Sequence, residues 1–357
     1  MTDTHTHSVL FVKLDGIGDY LFFRLFWPQI AQVIQQKGQD VSLLCSSSFL
    51  PIVEKYDRAY IKNFFTLDDV KKWGKAKFLL FIPRYYRMFV RGLEGRLLWR
   101  KKWQAAYNMQ PLREVFVENV MSRVNSLSKI TNKDVNELLA PSGFYQDALY
   151  TQLLSVSRKQ FIVPFFRELL EKSLGGSFKI PALQLPFSKE DILLTSQRRK
   201  LDKRYIVFVP FTSTPLRNWP MDRFVFLAKK LSENTSLPVV VVGKCKQNPH
   251  QIWKKCPNVI DLVNQTSLLE AMQIAAGATY AVCSDTSLMH CALLGQAHTI
   301  CLSSGRAKEL FVNYPTESNV KQKIFFPSIC GAKGIGRIED IAVEPVWQYI
   351  QAEWLSA

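Results

Sequence analysis

This sequence lacks long apolar runs and closely spaced cysteine pairs, and it has fewer acidic than basic residues. Its uninterrupted apolar stretches are short, as at residues 78–82, and a membrane-spanning helix needs about 18 such residues, so none is expected. The seven cysteines form no Cys-x-x-Cys pair, which excludes a disulfide framework or zinc site of the usual kind. The opening residues, MTDTHTH, carry no basic segment typical of a secretory signal. We therefore expect a cytoplasmic protein with reduced thiols.

Size and composition predict two globular domains with a basic surface. The 357 residues are 47% hydrophobic and 12% aromatic, which suffices for two buried cores at about 150 residues per domain. Lys and Arg outnumber Asp and Glu by 46 to 30, a net charge of +16. Such an excess points to phosphate-bearing partners, namely nucleotides, nucleic acid or an anionic membrane surface.

Short apolar runs alternate with helical patterns along both halves of the chain. The predicted strands cover residues 9–13, 41–45, 105–109, 205–210, 239–242, 259–262, 280–284 and 299–302, and helices are predicted at 20–36 and 51–56. Continuous apolar strands separated by helices are typical of parallel sheets covered on both faces. The predicted fold class is α/β, with two doubly wound, Rossmann-like domains that face each other across a cleft.

The predicted domain boundaries follow this rhythm. An N-terminal domain over 1–195 is followed by a polar, basic linker at 196–204. A C-terminal domain is predicted over 205–340. The last segment, 341–357, reads as a helix that could pack back on the N-terminal domain.

The first candidate motif follows the first strand and ends in a carboxylate. Gly16 and Gly18 allow a sharp turn and a close approach to a ligand. A dinucleotide fingerprint would need a third glycine where Leu21 stands, so a nicotinamide site is disfavoured. Asp19 either caps the following helix or, at the carboxyl end of a strand, serves as a general base.

Two further motifs follow strands of the second half. The loop PFTSTPLRNWP carries Arg217, whose planar fork suits phosphate, although a solvated arginine is the plain alternative. The segment SDTSLMH begins a helix at Asp285, where backbone amides and the helix dipole favour an anion. His290, one turn along, either contacts the ligand or packs beneath the helix, and taken alone it favours packing.

Together these segments resemble glycosyltransferase family nine, the bacterial heptosyltransferase-like enzymes of lipopolysaccharide synthesis. VLFVKLDGIGDYLFF is similar to the opening strand, Gly-Asp loop and helix of that family, and WQAAYNMQPLR to an internal strand that ends in a Leu-Gln-Gly-like turn. FVPFTSTPLRNWPMDRFVFLAKKL resembles the start of its second domain, and LLEAMQIAAGATYAVCSDTSLMHCALLGQ its Asp-Thr-Gly-x-x-His donor signature. The resemblance covers most of the chain and is weakest over 50–100 and 120–200.

The resemblance implies a GT-B fold, with the acceptor at the N-terminal domain and the donor at the C-terminal domain. It also implies a metal-independent, inverting transfer of a heptose-like sugar, most simply from ADP-heptose. The acceptor would be a lipopolysaccharide, a lipooligosaccharide or another surface glycan. Asp19 matches the proposed base, and Arg217 stands where heptosyltransferases usually carry a lysine. The implied donor-binding set is Gly16, Gly18, Thr212, Ser213, Arg217, Gly243, Thr266, Asp285, Thr286, Ser287 and His290. Ser287 replaces the usual glycine, and residues 243–250 carry no acidic ribose contact, so the sugar and the nucleotide stay open.

Residues 71–103 predict a membrane-facing surface. They contain eleven Lys or Arg, one acidic residue and eight aromatics, including Trp73, Trp99 and Trp103. Arg84, Arg87 and Arg91 share one helical face, as in a basic helix that lies at a membrane interface. We expect peripheral docking at the cytoplasmic face of the bacterial inner membrane, where lipid-linked glycan acceptors lie. An ordinary solvated helix is the alternative.

Three other functions stay open at this point. A nicotinamide oxidoreductase would share the fold, and NADH-linked absorbance would reveal it. A non-catalytic sugar- or nucleotide-binding relative would not need Asp19. A nucleic-acid binder would explain the charge, but the sequence shows no recognisable nucleic-acid motif, so we expect no such partner.

Overall fold

A computed structural model describes residues 7–67, 98, 101–134, 145–201, 204–246, 250–254, 256–306, 308–328 and 335–356. The chain forms two compact units, Met1–Ala182 and Leu183–Ala357. Each has its own parallel sheet and its own core, so the units are domains in the structural sense.

The first domain contains a six-stranded sheet in which every neighbouring pair is parallel. Its strands are β1 Ser8–Lys13, β2 Asp40–Ser46, β3 Asn63–Leu67, β4 Trp103–Asn108, β5 Ser126–Asn132 and β6 Gln152–Leu154. The spatial order is β3-β2-β1-β4-β5-β6, which is the order of a dinucleotide-binding domain. The strand order reverses between β1 and β4, where such domains hold ligands.

Five described helices accompany this sheet, namely α1 Ile17–Phe23, α2 Trp27–Gln36, α3 Leu50–Ile52, α4 Val115–Arg123 and α5 Ile162–Leu174. The single helix predicted over 20–36 is in fact α1 and α2, joined by a 3₁₀ turn at Arg24–Phe26. Pro28 explains the break, since proline fits the first turn of a helix but not its interior. The helix predicted at 51–56 is α3 followed by a π turn, Val53–Asp57.

The second domain repeats the same topology. Its strands are β7 Ile206–Val209, β8 Val239–Val241, β9 Val259–Asp261, β10 Tyr280–Ser284, β11 His298–Leu302 and β12 Gln322–Phe325. They are again parallel, in the order β12-β11-β10-β7-β8-β9. The reversal of strand order lies between β7 and β10.

Seven described helices belong to the second domain: α6 Lys189–Arg198, α7 Met221–Asn234, α8 His250–Trp253, α9 Leu268–Gly277, α10 Ser287–Leu294, α11 Lys308–Phe311 and α12 Val343–Ile350. Residues 196–198, predicted as linker, lie in α6, where Thr195 donates a hydrogen bond to Gln273 of α9 at 2.7 Å. The unit boundary therefore falls earlier than predicted. The C-terminal helix α12 contributes to the core of the second domain, and its packing on the first domain stays a prediction.

The basic segment falls almost wholly on residues that the structure does not describe. Residues 68–97, 99 and 100 are among these, so Arg84, Arg87 and Arg91 and the aromatics Trp73 and Trp99 lie outside the described residues. Trp103 is described, and the prediction that it belongs to a membrane-facing surface is wrong. It is fully buried in β4 and donates its indole N–H to the carbonyl of Leu98 at 3.3 Å. Among the described helices, none is long and apolar enough to cross a membrane.

Candidate functional site

The predicted motifs lie at the carboxyl ends of strands that flank a reversal of strand order. In the first domain, the turn with Asp19 follows β1, beside β4. In the second, the Arg217 loop follows β7 and the Asp285 segment follows β10, and these two strands are neighbours. Ligands of doubly wound folds bind at such points.

The turn after β1 is organised by Asp19. Helix α1 begins at Ile17, with Gly16 as its N-cap, so Gly18 and Asp19 lie in its first turn rather than in a loop before it. The backbone N–H of Gly16 donates to Asp19 Oδ2 at 3.2 Å. A Cβ on Gly16 would lie 3.0 Å from that same oxygen, so a larger residue at position 16 would have to displace the Asp19 carboxylate slightly. Asp19 is therefore not the N-cap that the sequence suggested: it is the third helical residue and accepts the N–H of the N-cap, and its carboxylate is partly exposed.

A buried ion pair lies directly before this turn. Lys13, the last residue of β1, is fully buried and its ammonium contacts the carboxylate of Asp15. The same ammonium lies 5.5 Å from the ring centre of Phe23 and 4.7 Å from that of Phe166. Burial raises the pKa of Asp15 to about 7, against the opposing effect of Lys13, and the charge of Asp19 adds to the rise. The two carboxylates of this turn are therefore electrostatically coupled.

Polar side chains also follow β4, where the sequence predicted no site residue. Asn108 and Gln110 are completely or almost completely buried at this end of the strand. Arg113 is buried as well, pairs with Asp147 at 2.5 Å and lies 3.8 Å from Glu118. Burial raises the pKa of Glu118, while Tyr150 and Arg113 oppose the rise.

The loop after β7 folds on its own hydroxyl and amide groups. Thr212 accepts a hydrogen bond at Oγ1 from the N–H of Thr214 at 3.2 Å, and its own N–H donates to Asn218 Oδ1 at 2.8 Å. The turn Pro215–Arg217 then presents the Arg217 side chain. Trp219, just beyond it, is buried and donates its indole N–H to Ile341 at 2.8 Å. The buried Trp219 thus fixes the C-terminal end of this polar loop.

Arg217 connects the two motifs of the second domain. One terminal nitrogen donates to Ser213 Oγ at 3.1 Å, and the other lies 3.5 Å from the backbone carbonyl oxygen of Asp285. Ser284 Oγ also donates to the carbonyl of Pro210 at 3.3 Å. The structure therefore brings Thr212, Ser213 and Arg217 together with the start of α10, as a shared anion site requires.

The start of α10 has the features of an anion-binding helix terminus. Thr286 is its N-cap in extended conformation and makes no side-chain cap hydrogen bond. Ser287 is the first helical residue, and Ser303 donates to Asp285 Oδ2 at 3.4 Å. Amides of a first turn that no side chain caps are available to a phosphate oxygen.

Gly243 and Thr266 lie farther along the same sheet edge. Gly243 follows β8 with φ of 136°, a conformation that side chains rarely adopt. Its carbonyl accepts the N–H of Asn264 at 2.9 Å, which ties the turns after β8 and β9 together. Thr266 is buried next to Ser267, the N-cap of α9. Their donor-binding roles stay predictions.

His290 packs inside the domain. It is 3% exposed, its Nδ1 lies 2.8 Å from the Tyr314 hydroxyl, and burial lowers its pKa to about 3. The imidazole is therefore neutral at pH 7 and supplies no positive charge to an anion. This geometry agrees with the packing alternative. Donor binding by His290 stays a prediction.

Within the described residues, no three His, Cys, Asp or Glu side chains come close enough to hold a metal ion. No disulfide joins any two of the six described cysteines, and all but Cys245 are buried. Metal-independent chemistry stays a prediction.

Comparison with known proteins identifies the second half of the chain most directly. Residues 142–311 match the family model of glycosyltransferase family 9 (heptosyltransferase). That segment contains the Arg217 loop, Thr266 and the Asp285 motif. No curated protein matches the sequence of this chain.

Solved structures resemble the whole chain. A glycosyltransferase family 9 protein from Veillonella parvula has a TM-score of 0.65 at 12% identity, covering 99% of this chain and 98% of its own. E. coli heptosyltransferase WaaC with ADP has 0.63 at 21% identity, covering 97% and 99%. E. coli ADP-heptose LPS heptosyltransferase II has 0.61 at 16% identity, covering 97% and 98%. The predicted GT-B-type, two-domain α/β fold is confirmed.

Proposed function

We propose that the chain is a member of glycosyltransferase family 9, whose model matches residues 142–311, and that it transfers a heptose-like sugar, with inversion, from an ADP-linked donor to a lipopolysaccharide or related surface glycan. The observation that carries this proposal is the contact of Arg217 with the carbonyl of Asp285 at the start of α10. This contact places a cation beside the backbone amides of the helix start, where the strand order reverses between β7 and β10. This is the combination that a departing diphosphate requires.

The acceptor hydroxyl must lose a proton as it attacks the anomeric carbon, and Asp19 is the base that we assign. Its carboxylate stands at the carboxyl end of β1, is partly exposed and is held by the N–H of Gly16 at 3.2 Å. A carboxylate whose orientation is fixed in this way loses little freedom when it accepts a proton. The attack forms a bond from the acceptor oxygen to the anomeric carbon. The bond from that carbon to the diphosphate breaks, and the proton passes to Asp19.

The leaving nucleoside diphosphate gathers negative charge as this bond breaks. We assign its stabilisation to the Arg217 guanidinium and to the amides of Thr286 and Ser287. Charged hydrogen bonds of this kind are about twice as strong as neutral ones, and their effect is greatest where charge develops. The chemistry assigned to these groups requires no metal ion.

The donor is proposed from the solved relatives. The E. coli structures are described as WaaC with ADP and with ADP-2-deoxy-2-fluoro heptose, which supports an adenine nucleotide here. Gly243, Thr266, Gly16 and Gly18 complete the proposed donor contacts. Ser287 adds a hydroxymethyl group where the family usually has glycine, so a different sugar on the same nucleotide is the second candidate.

The acceptor is proposed to be lipid-linked and reached at the cytoplasmic face of the inner membrane. The basic composition of residues 71–103, with eleven Lys or Arg and one acidic residue, supports this location. Arg84, Arg87 and Arg91 would face anionic lipid headgroups, which attract basic residues by about 1 kcal/mol each.

A thermal-shift panel of ADP, UDP, GDP and CMP tests the nucleotide, because a ligand that binds the native state raises its stability. We expect ADP to raise the melting temperature most and Arg217→Ala to remove most of that shift. Arg204→Ala is the matched control, since Arg204 is exposed just before β7, at the opposite edge of the sheet. A larger shift with UDP, GDP or CMP would reject the ADP-linked donor. No shift with any of them would reject nucleotide-dependent transfer.

A further inference from the structure

Side-chain atoms that are buried without a hydrogen-bond partner concentrate at one place in the first domain. In the described part of the chain, they include both side-chain polar atoms of Gln110, Nε and Nη1 of Arg113, and Asn132 Oδ1. These three residues and Asn108, whose side chain interacts with the Tyr150 hydroxyl, are here called the amide cluster, and all four are at most 1% exposed. Native proteins leave few such groups unpaired, because each costs about 1–3 kcal/mol. So many in one place indicate a missing partner.

The amide cluster is contiguous and lies at the carboxyl ends of β4 and β5. Asn108 is in register with Thr131 on the neighbouring strand, and Asn132 follows it. Asn132 Nδ2 donates to the carbonyl of Pro111 at 2.8 Å, and the N–H of Arg113 donates to the carbonyl of Asp134 at 2.9 Å. The cluster therefore borders the point where strand order reverses, on the same sheet edge as Asp19.

Local hydrogen bonds fix the orientation of these amides. Asn108 Oδ1 accepts the backbone N–H of Gln110 at 3.3 Å, and the bond from Asn132 to Pro111 leaves its oxygen facing the cluster. Gln110 has both polar atoms unpaired, so exchanging its oxygen and nitrogen changes nothing. Leu112 and Asp134, which flank the cluster, are partly exposed, so it lies just below the surface.

The missing partner must both donate and accept hydrogen bonds. The unpaired set contains donors on Gln110 and Arg113 and acceptors on Gln110 and Asn132. A carboxylate only accepts and an ammonium group only donates, whereas a sugar hydroxyl or a water molecule does both. The basic groups are also neutralised already, Arg113 by Asp147 at 2.5 Å and Lys13 by Asp15. The chemistry therefore fits an uncharged compound with several hydroxyls.

We propose that the amide cluster binds one uncharged pyranose ring of the acceptor through its hydroxyl groups. This inference rests on the proposed transferase function and deepens it. According to this proposal, the acceptor sugar bound by the amide cluster carries no charge, and any phosphate or carboxylate of the acceptor lies outside the cluster. A site built to hydrogen-bond hydroxyls also rejects an analogue that lacks them, since its own polar groups are then left unpaired.

Saturation-transfer NMR with methyl α-D-mannopyranoside, methyl α-D-glucopyranoside and methyl α-D-galactopyranoside tests the site on the full chain. We expect at least one glycoside to receive saturation from wild-type protein, and inorganic phosphate at equal concentration not to displace it. Gln110→Met and Asn132→Leu should weaken this binding about tenfold or more, because each removes a hydrogen-bonding amide from the site. Gln322→Met is the matched control, since Gln322 also has an unpaired buried Nε2 but lies in the second domain.

Thermal melting separates a ligand site from a structural role. Replacing a buried unpaired amide by an apolar side chain of similar shape is close to neutral or stabilising, so Gln110→Met and Gln322→Met should both keep or raise the melting temperature. Absence of saturation in every glycoside, displacement by phosphate, or full binding by Gln110→Met would overturn the proposal. A fall in melting temperature with binding intact would assign the cluster to fixed water instead.

A second measurement keeps the test decisive if the variants fold poorly. On wild-type protein, the deoxy analogues of the bound glycoside should lose about tenfold or more in affinity at one hydroxyl at least. Equal binding of all deoxy analogues would contradict the assignment. The thermal shift with ADP is measured in parallel. A shift with ADP but no glycoside binding would reject only the sugar site. Absence of the ADP shift would reject the proposed ADP-linked donor.

Discussion

The two domains share one topology but differ at the edge where ligands bind. Both sheets follow the same order of six parallel strands. At the first edge the structure places carboxylates and buried amides, with Lys13 paired to Asp15. At the second it places hydroxyls, Arg217 and the start of α10. The fold therefore determines where a ligand binds, while the few residues after each strand determine what it is.

This difference predicts a division of labour that single substitutions can separate. Changes at the first edge should affect the acceptor and the chemical step, and changes at the second edge should affect the donor.

The largest effect is expected for Asp19→Asn. The change removes the proton acceptor but keeps volume and an oxygen for the Gly16 N–H. Loss of a general base typically lowers turnover about a hundred- to ten-thousandfold, and ADP binding should persist. Steady-state ADP release and calorimetric titration with ADP measure the two quantities. Asp222→Asn, in the exposed first turn of α7, is the control, and turnover of Asp19→Asn within threefold of wild type would refute the base.

The next effect concerns the membrane. Changing Arg84, Arg87 and Arg91 to Glu removes three positive charges worth about 1 kcal/mol each at an anionic surface and adds three negative ones, so partitioning should fall by at least about a hundredfold. Sedimentation with anionic vesicles should fall accordingly, and salt should weaken wild-type binding because it screens exposed charges. The ADP thermal shift of this variant should equal that of wild type. If the variant sediments as wild type does, the segment is a solvated face.

Arg217→Ala should weaken donor binding and turnover together. One cation serves both the bound diphosphate and the leaving group, and hydrogen bonds to charged groups contribute about 1.5–3 kcal/mol, which corresponds to about ten- to a hundredfold. Calorimetry with ADP and initial rates at several donor concentrations check this, with Arg204→Ala as control. An unchanged affinity for ADP would show that Arg217 does not bind the donor, and the proposed difference between the two domains would then lose its main support.

The smallest effect is a pH dependence of stability from His290. Burial lowers its pKa to about 3, whereas the unfolded chain takes up this proton near pH 6.5. The free energy of unfolding therefore falls as pH drops below about 6.5, by about 1.4 kcal/mol per pH unit for this group. Urea unfolding at pH 7 and pH 5 should show a fall about 2 kcal/mol larger for wild type than for His290→Gln. Equal pH dependence would contradict a neutral, buried imidazole.

Sequence patterns predicted the centre of each sheet better than its borders. Continuous apolar runs predicted β1, β2, β4 and the strands on both sides of the second reversal, because buried parallel strands carry apolar residues on both faces. The missed strands β3, β5, β6 and β12 are short, lie toward sheet borders or alternate with polar residues, as in Ser126–Asn132. Such segments look like loops without their neighbours.

The residues of the candidate site were also predicted only in part. Asp19, Arg217 and Asp285 follow apolar strands directly, so local pattern sufficed to place them. The Lys13–Asp15 pair was missed because a fully buried lysine depends on Phe166, far away in sequence. The amide cluster was missed because Asn132 becomes a neighbour of Gln110 only once β5 is known to pair with β4.

Transfer from ADP-heptose to a lipid-linked glycan acceptor, in buffer containing EDTA and with NMR of the product linkage, tests the proposed function most directly. We expect one ADP released for each sugar transferred, an anomeric configuration opposite to that of the donor, and an unchanged rate in EDTA. Retention of configuration, or activity that EDTA abolishes and magnesium restores, would contradict the base and the cation assigned to the two domains.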